Sequence, residues 1–183
     1  DYIFTIKFQQ LPSHLDIYEL ASLLPNLSKL DICYGVKQIG MNYERMLFGM
    51  KISDATSLAR LFDSSDTIAT VKLSGNIIDD DLLRMLMTGL IRNNTIVNLD
   101  LSHNKITNHG ARLVSKLLRD NSVVTQLDLS DNQIHADGGR YLGRGLRGND
   151  SLLTLNLRQN RLGDDGCRMV LEGLQDNITL KQL

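Results

Sequence analysis

Few residues in this 183-residue chain are spaced to do chemistry. The histidines are His14, His103, His109 and His135, and none stands at metal-ligand spacing from a cysteine or a carboxylate. His103 and His109 flank one turn and read as solvated loop residues. No Ser or Cys occupies a nucleophile motif. The GMKISD stretch beginning at Gly49 lacks the spacing of a phosphate-cradling loop. Carboxylates are plentiful, but they recur at fixed intervals, which fits helix starts and a polar face better than an acid–base pair. The expectation is a non-catalytic protein with no metal, no cofactor and no small-molecule substrate.

The fixed interval is 28 residues. Starting at Ile68 and stepping by that period gives Ile96, Val124, Leu152 and Leu180. Three residues after each start stand Val71, Leu99, Leu127, Leu155 and Leu183; five after come Leu73, Leu101, Leu129 and Leu157. Asn76, Asn104, Asn132 and Asn160 occupy the eighth position without substitution. Ile78, Ile106, Ile134 and Leu162 occupy the tenth. A period of this length predicts a solenoid of stacked units.

Within a unit, the alternation at Leu99 and Leu101 predicts a short strand, with Asn98, Asp100 and Ser102 on its other face. The aligned Asn residues read as a structural ladder, because a buried Asn at a turn can bond the backbone of its own and the adjacent unit. The second half of each unit has helical spacing, as in Leu113, Val114, Leu117 and Leu118. Gly145 and Gly173 take a small position on the next two helices. Asp79, Asp80, Asp81, Asp164 and Asp165 fall at helix starts. Gly110, Gly138 and Gly166 share one position suited to close packing, where Leu82 is the exception. Asn93, Asn121, Asn149 and Asn177 fall near helix ends, where a left-handed cap is expected.

The whole chain, residues 1–183, reads as a single α/β domain of about six units. Residues 68–183 are regular and residues 1–67 irregular. Ile3, Ile6, Phe8 and Leu11 mark one strand-and-turn; Leu27, Leu30 and Ile32 mark another. His14 to Leu24 has helical spacing through Leu15, Tyr18 and Leu23, and Asp54 to Phe62 forms a second helical stretch. Between Leu27 and Ile68 lies an insertion near residues 33–50, dense in aromatics and methionine. It suits either a local satellite core or a docking patch. The chain lacks an initiating Met and stops at Leu183 inside a strand, so further sequence is expected on both sides.

The net charge of −1 gives no case for nucleic acid or an anionic membrane. No apolar run approaches the roughly 20 residues of a membrane span. Cys33 and Cys167 sit in distant units and are not expected to pair. The N-x-S/T triplets at Asn93, Asn149 and Asn177 follow from the repeat and are discounted as glycosylation sites. The function is therefore expected in a surface that meets another protein. Outward strand positions line a concave, mildly acidic face almost free of aromatics, where a basic partner segment and a merely solvated face both fit. The candidate protein-binding residues are Asp100, His103, Asp128, Asp131 and Arg158 on that face, and Tyr34, Met41, Tyr43 and Phe48 in the insertion.

The L-x-x-L-x-L-x-x-N-x-L pattern, as in IVNLDLSHNKI from Ile96, resembles the ribonuclease-inhibitor-like class of leucine-rich repeats. That resemblance implies a curved horseshoe segment, with parallel strands on the concave face and helices on the convex face. The run YGVKQIGMNYERMLFGMKISDATSLARLF, starting at Tyr34, is more specific. With VKLSGNIIDDDLLRMLMTGL, LDLSHNKITNHGARLVSKLL and LLTLNLRQNRLGDDG, it resembles the T-complex-associated testis-expressed protein 1 family. That family is the leucine-rich-repeat subunit of the nexin–dynein regulatory complex in motile cilia. The resemblance implies a non-catalytic axonemal connector of the cytoskeleton, whose partners are other regulatory-complex subunits rather than tubulin's acidic surface. A cytosolic sensing or inhibitor module, as in NOD-like receptors, is the alternative. The repeats also resemble Ran GTPase-activating protein, which would give Arg158 a phosphate to contact, although no further motif supports that.

Overall fold

The computed structural model describes residues 2–9, 16–34 and 49–183. Six parallel strands alternate with six helices among these residues. The strands are β1 (Thr5–Gln9), β2 (Lys29–Cys33), β3 (Thr70–Lys72), β4 (Asn98–Asp100), β5 (Gln126–Asp128) and β6 (Thr154–Asn156). The helices are α1 (Ile17–Ser22), α2 (Ile52–Ser64), α3 (Asp80–Leu90), α4 (Asn108–Asp120), α5 (Ala136–Arg147) and α6 (Gly163–Gly173). Sheet order equals chain order. Val71, Leu99, Leu127 and Leu155 align across β3 to β6, so the sequence period and the ladder register are the same thing. Parallel strands sit about 4.8 Å apart and packed helices about 8–10 Å apart. A stack of such units must therefore curve toward its strands, which places the sheet on the inner face.

One continuous hydrophobic core runs between the layers from Ile6 to Val170. Leu73, Leu101 and Leu129 are fully buried, and burying each such side chain stabilises by about 1.5–3 kcal/mol. The turn asparagines work as the pattern implied. Asn104 Nδ2 donates to the carbonyls of Leu73, Leu101 and Ser102, each at 3.0 Å. Its Oδ1 accepts from the N–H groups of Asn76 and Ile78, also at 3.0 Å. One amide thus ties two units together at a buried turn.

The helix-end asparagines depart from expectation. None adopts a left-handed conformation, and Asn121 is extended at φ −121°. They form a second ladder instead. Asn121 Nδ2 reaches the carbonyls of Leu90 (3.3 Å) and Asn93 (2.8 Å) in the preceding unit. Its Oδ1 accepts from Val123 and Val124. Asn93, Asn149 and Asn177 repeat the arrangement, which occupies the very amides of the discounted triplets. A third ladder links helix starts: Asp80 Oδ1 accepts from Gly110 N–H, and Asn108 Oδ1 accepts from Gly138 N–H. Those bonds explain the shared glycine, since a Cβ on Gly138 would fall 2.8 Å from Asn108 Oδ1 and 2.4 Å from Ile134 Cγ2.

The first helix also turns differently from its spacing. Ile17 and Ala21 face the core, whereas Leu23 is exposed. Asp16 caps α1, accepting from Tyr18 N–H at 3.0 Å and from the Ser57 hydroxyl of α2 at 2.6 Å. Leu11, His14 and Leu15 lie outside the described residues.

Candidate functional site

The inner face is built from two outward rows of strand residues. One row runs Thr5, Lys29, Thr70, Asn98, Gln126, Thr154. The other runs Lys7, Asp31, Lys72, Asp100, Asp128, Asn156. In the second row opposite charges alternate as far as Asp100; Lys7 pairs with Asp31 at 3.6 Å. Asp128 then follows Asp100 directly, leaving two carboxylates on neighbouring strands. Together the rows line a concavity of about 520 Å³ that extends to Arg158 and Gln182.

These carboxylates are partly committed to their own units. Asp100 Oδ1 accepts from the Ser102 hydroxyl (2.6 Å) and N–H (3.0 Å). Asp128 Oδ1 accepts from Ser130 in the same way, and its Oδ2 accepts from Asn156 Nδ2 at 2.9 Å. In the next unit Asn156 and Arg158 replace the Asp–Ser pair, so the serine position becomes an exposed guanidinium. Among the described residues no carboxylate pairs with Arg158. The face therefore changes from acidic at Asp100 and Asp128 to basic at Arg158.

A rim follows the strands. His103, Asp131 and Gln159 occupy equivalent positions, and all three take a positive φ, between 50° and 56°. His103 Nδ1 meets Asp131 Oδ2 at 2.7 Å with both side chains more than half exposed. The sequence placed both on one surface, and the structure adds that they contact each other. His109 is exposed at the start of α4.

The insertion candidates fare differently. Tyr34 is fully buried, so its ring belongs to the core and not to a surface. Burial drives its phenol well above the ordinary range, with Asp54 and Asp16 adding in the same sense. Its N–H donates to Asn76 Oδ1 at 2.6 Å, and its carbonyl accepts from Gly49 N–H at 3.1 Å. Tyr34 and Gly49 are thus hydrogen-bonded neighbours, and Met50 is buried as well. Met41, Tyr43 and Phe48 lie outside the described residues.

Cys33 and Cys167 are not joined by a disulfide. Among the described residues no group of three or more His, Cys, Asp or Glu side chains could hold a metal ion, and no helix is long and apolar enough to cross a membrane. A second concavity, of about 740 Å³, opens on the helical side among Arg84, Arg112 and Arg144, none of which the sequence analysis singled out.

Comparison with known proteins agrees with the repeat and with the more specific resemblance. Residues 92–115, 120–143 and 148–171 each match the leucine-rich-repeat family model. Subunit 5 of the dynein regulatory complex from Chlamydomonas reinhardtii is 45% identical over 85 residues, 46% of this chain and 22% of the algal protein. The mouse protein of the same name is 38% identical over 78 residues, 43% of this chain and 16% of its own length. The aligned stretches therefore span less than a quarter of these relatives. Among solved structures, the second actin-binding site of leiomodin-1 superposes with a TM-score of 0.64 at 22% identity, covering 74% of this chain and 79% of that one. The C-terminal domain of Caenorhabditis elegans tropomodulin gives 0.60 at 18% identity, covering 70% and 80%. At such identities these two speak for the fold alone. The chain is a leucine-rich-repeat solenoid protein that resembles subunit 5 of the dynein regulatory complex.

Proposed function

We propose that this chain is a non-catalytic connector within the dynein regulatory complex of motile cilia and flagella, where its strand face and rim hold neighbouring subunits of that complex along the axoneme. The observation that carries this reading is the 45% identity to the algal subunit 5. The site chemistry agrees with it. The inner face offers two rows of polar and charged side chains across six strands, which suits recognition of a protein surface. The acidic pair Asp100 and Asp128, the rim pair His103 and Asp131, and the exposed Arg158 supply charge complementarity, which governs specificity and association rate more than affinity.

Cross-linking of detergent-extracted axonemes that carry the tagged protein tests this reading. Cross-links should join the strand face or the 35–48 segment to other regulatory-complex subunits. The double substitution Asp100→Lys, Asp128→Lys should weaken subunit capture by reversing the charge of the face, with a stability cost of roughly 2 kcal/mol from the lost bonds to Ser102, Ser130 and Asn156. Cross-links confined to unrelated soluble proteins would overturn the reading.

A further inference from the structure

The helical face carries a basic groove that the overall charge of the chain conceals. Three regular helices hold an identical exposed ion pair in their first turns. Asp81 meets Arg84 at 2.7 Å on α3, Asp137 meets Arg140 at 2.9 Å on α5, and Asp165 meets Arg168 at 2.6 Å on α6. These residues recur at the repeat period, and on α4 the corresponding pair is His109 and Arg112. Histidine stands where every other regular unit has aspartate, so Arg112 has lost its partner. Its guanidinium lies instead 6.0 Å from the centre of the Tyr141 ring. Lys116 and Arg119 follow Arg112 along the exposed side of α4, and Arg144 faces them from α5. Among the described residues none of these four cations meets a carboxylate, and no acidic side chain lines the groove.

A second departure from the repeat falls on the same helix. Gly89, Gly145 and Gly173 share one position, at which each helix presses against the helix before it. A Cβ on Gly89 would lie 2.1 Å from the Ala59 carbonyl oxygen, and one on Gly173 would lie 2.1 Å from that of Gly143. On α4 that position is Leu117, which is buried. Its side chain takes up space between α3 and α4, so these neighbours pack less closely than α4 and α5 do. The same unit therefore lacks both the neutralising acid and the packing glycine.

We propose that this groove binds an acidic polypeptide segment in extended conformation. From Arg112 to Arg119 the helix rises about 10 Å, the reach of three to four extended residues. Four uncompensated cations over that length match a short run of Glu or Asp side chains. A nucleic-acid backbone fits less well, because it needs a longer basic field. Here Asp81 and Asp137 at the neighbouring helix starts and Asp120 at the end of α4 confine the positive charge to one groove.

Fluorescence anisotropy with fluorescein-labelled decaglutamate and the intact chain tests the proposal. Saturable binding is expected, weakening as salt rises. The double variant Lys116→Glu, Arg144→Glu should weaken it about tenfold. His109→Asp restores the ion pair of the other units and should weaken it about two- to fivefold by occupying Arg112. Arg168→Ala, on α6, should leave it unchanged. All these positions are exposed, so unchanged melting curves should accompany the losses. Absence of binding, or binding indifferent to both the double variant and His109→Asp, would overturn the proposal. Tighter binding of a single-stranded oligonucleotide than of decaglutamate at equal salt would overturn it in favour of nucleic acid.

Discussion

Single side chains in this protein act mainly by closing hydrogen bonds between units. Asn132 Nδ2 donates to Leu101, Leu129 and Ser130 carbonyls, and its Oδ1 accepts from Ile106 N–H. Removing it leaves several buried groups unpaired at about 1–3 kcal/mol each. Asn132→Ala should therefore cost about 2–4 kcal/mol in chemical denaturation, after allowance for partial hydration. From sequence, Asp128 reads as an uncommitted surface residue whose loss should cost no more than roughly 0.5 kcal/mol. Its bonds to Ser130 and Asn156 raise the expected cost of Asp128→Ala to about 1 kcal/mol, measurable in the same experiment. The Ser57 hydroxyl, with the α1 backbone, holds the Asp16 carboxyl below its ordinary value. A depressed folded-state pKa stabilises above the unfolded value, and the contribution is lost as pH falls through the folded one. Docking of α1 should thus weaken on acidification below the ordinary carboxylate range. Ser57→Ala should move the Asp16 titration upward toward that range in a carboxylate NMR titration.

The elements follow from periodicity, and where they diverge from it the cause is local. Strand and helix positions in 68–183 were readable because one side-chain pattern recurs in register four times, and the ladder enforces that register. Helix facing in α1 was not readable. With one short element and no repeat to compare, the spacing pointed to Tyr18 and Leu23, whereas Ile17 and Ala21 are the buried pair and Leu23 lies past the end of the helix. The helix-end asparagines show the opposite difficulty. Their recurrence was plain, but conformation depends on carbonyls of the preceding unit, which lie 28 or 31 residues earlier in the chain. Glycine positions carry the helix packing. Gly89→Ala gains helix propensity worth about 1 kcal/mol, but its Cβ would meet backbone of α2 that cannot yield cheaply. A net destabilisation of about 1–3 kcal/mol is expected by thermal melt. Gly148, with open space around it, should tolerate alanine with little change.

Across the whole molecule, stacking converts a repeated sequence into two long surfaces of different character. The inner face was legible as a row, because strand alternation dictates which side chains point outward. Its residues Asp100, His103, Asp128, Asp131 and Arg158 do share that side of the molecule. Tyr34 was misplaced because its repeat position matches that of His103, Asp131 and Gln159, which are exposed, whereas it continues the alternation of Leu30 and Ile32 and is buried with them. The basic groove escaped notice because a net charge of −1 averages over faces that never meet. Its signal was present all the same, in His109 among the recurring aspartates and Leu117 among the recurring glycines. Under the proposed function, this solenoid holds its place in the ciliary axoneme through regulatory-complex subunits. The most direct measurement is the location of the tagged full-length protein in a flagellated cell after detergent extraction of the membrane. Retention along the axoneme, lost when the regulatory complex is genetically removed, is the expected result. Release of the tag into the soluble fraction while the complex remains on the axoneme would contradict it.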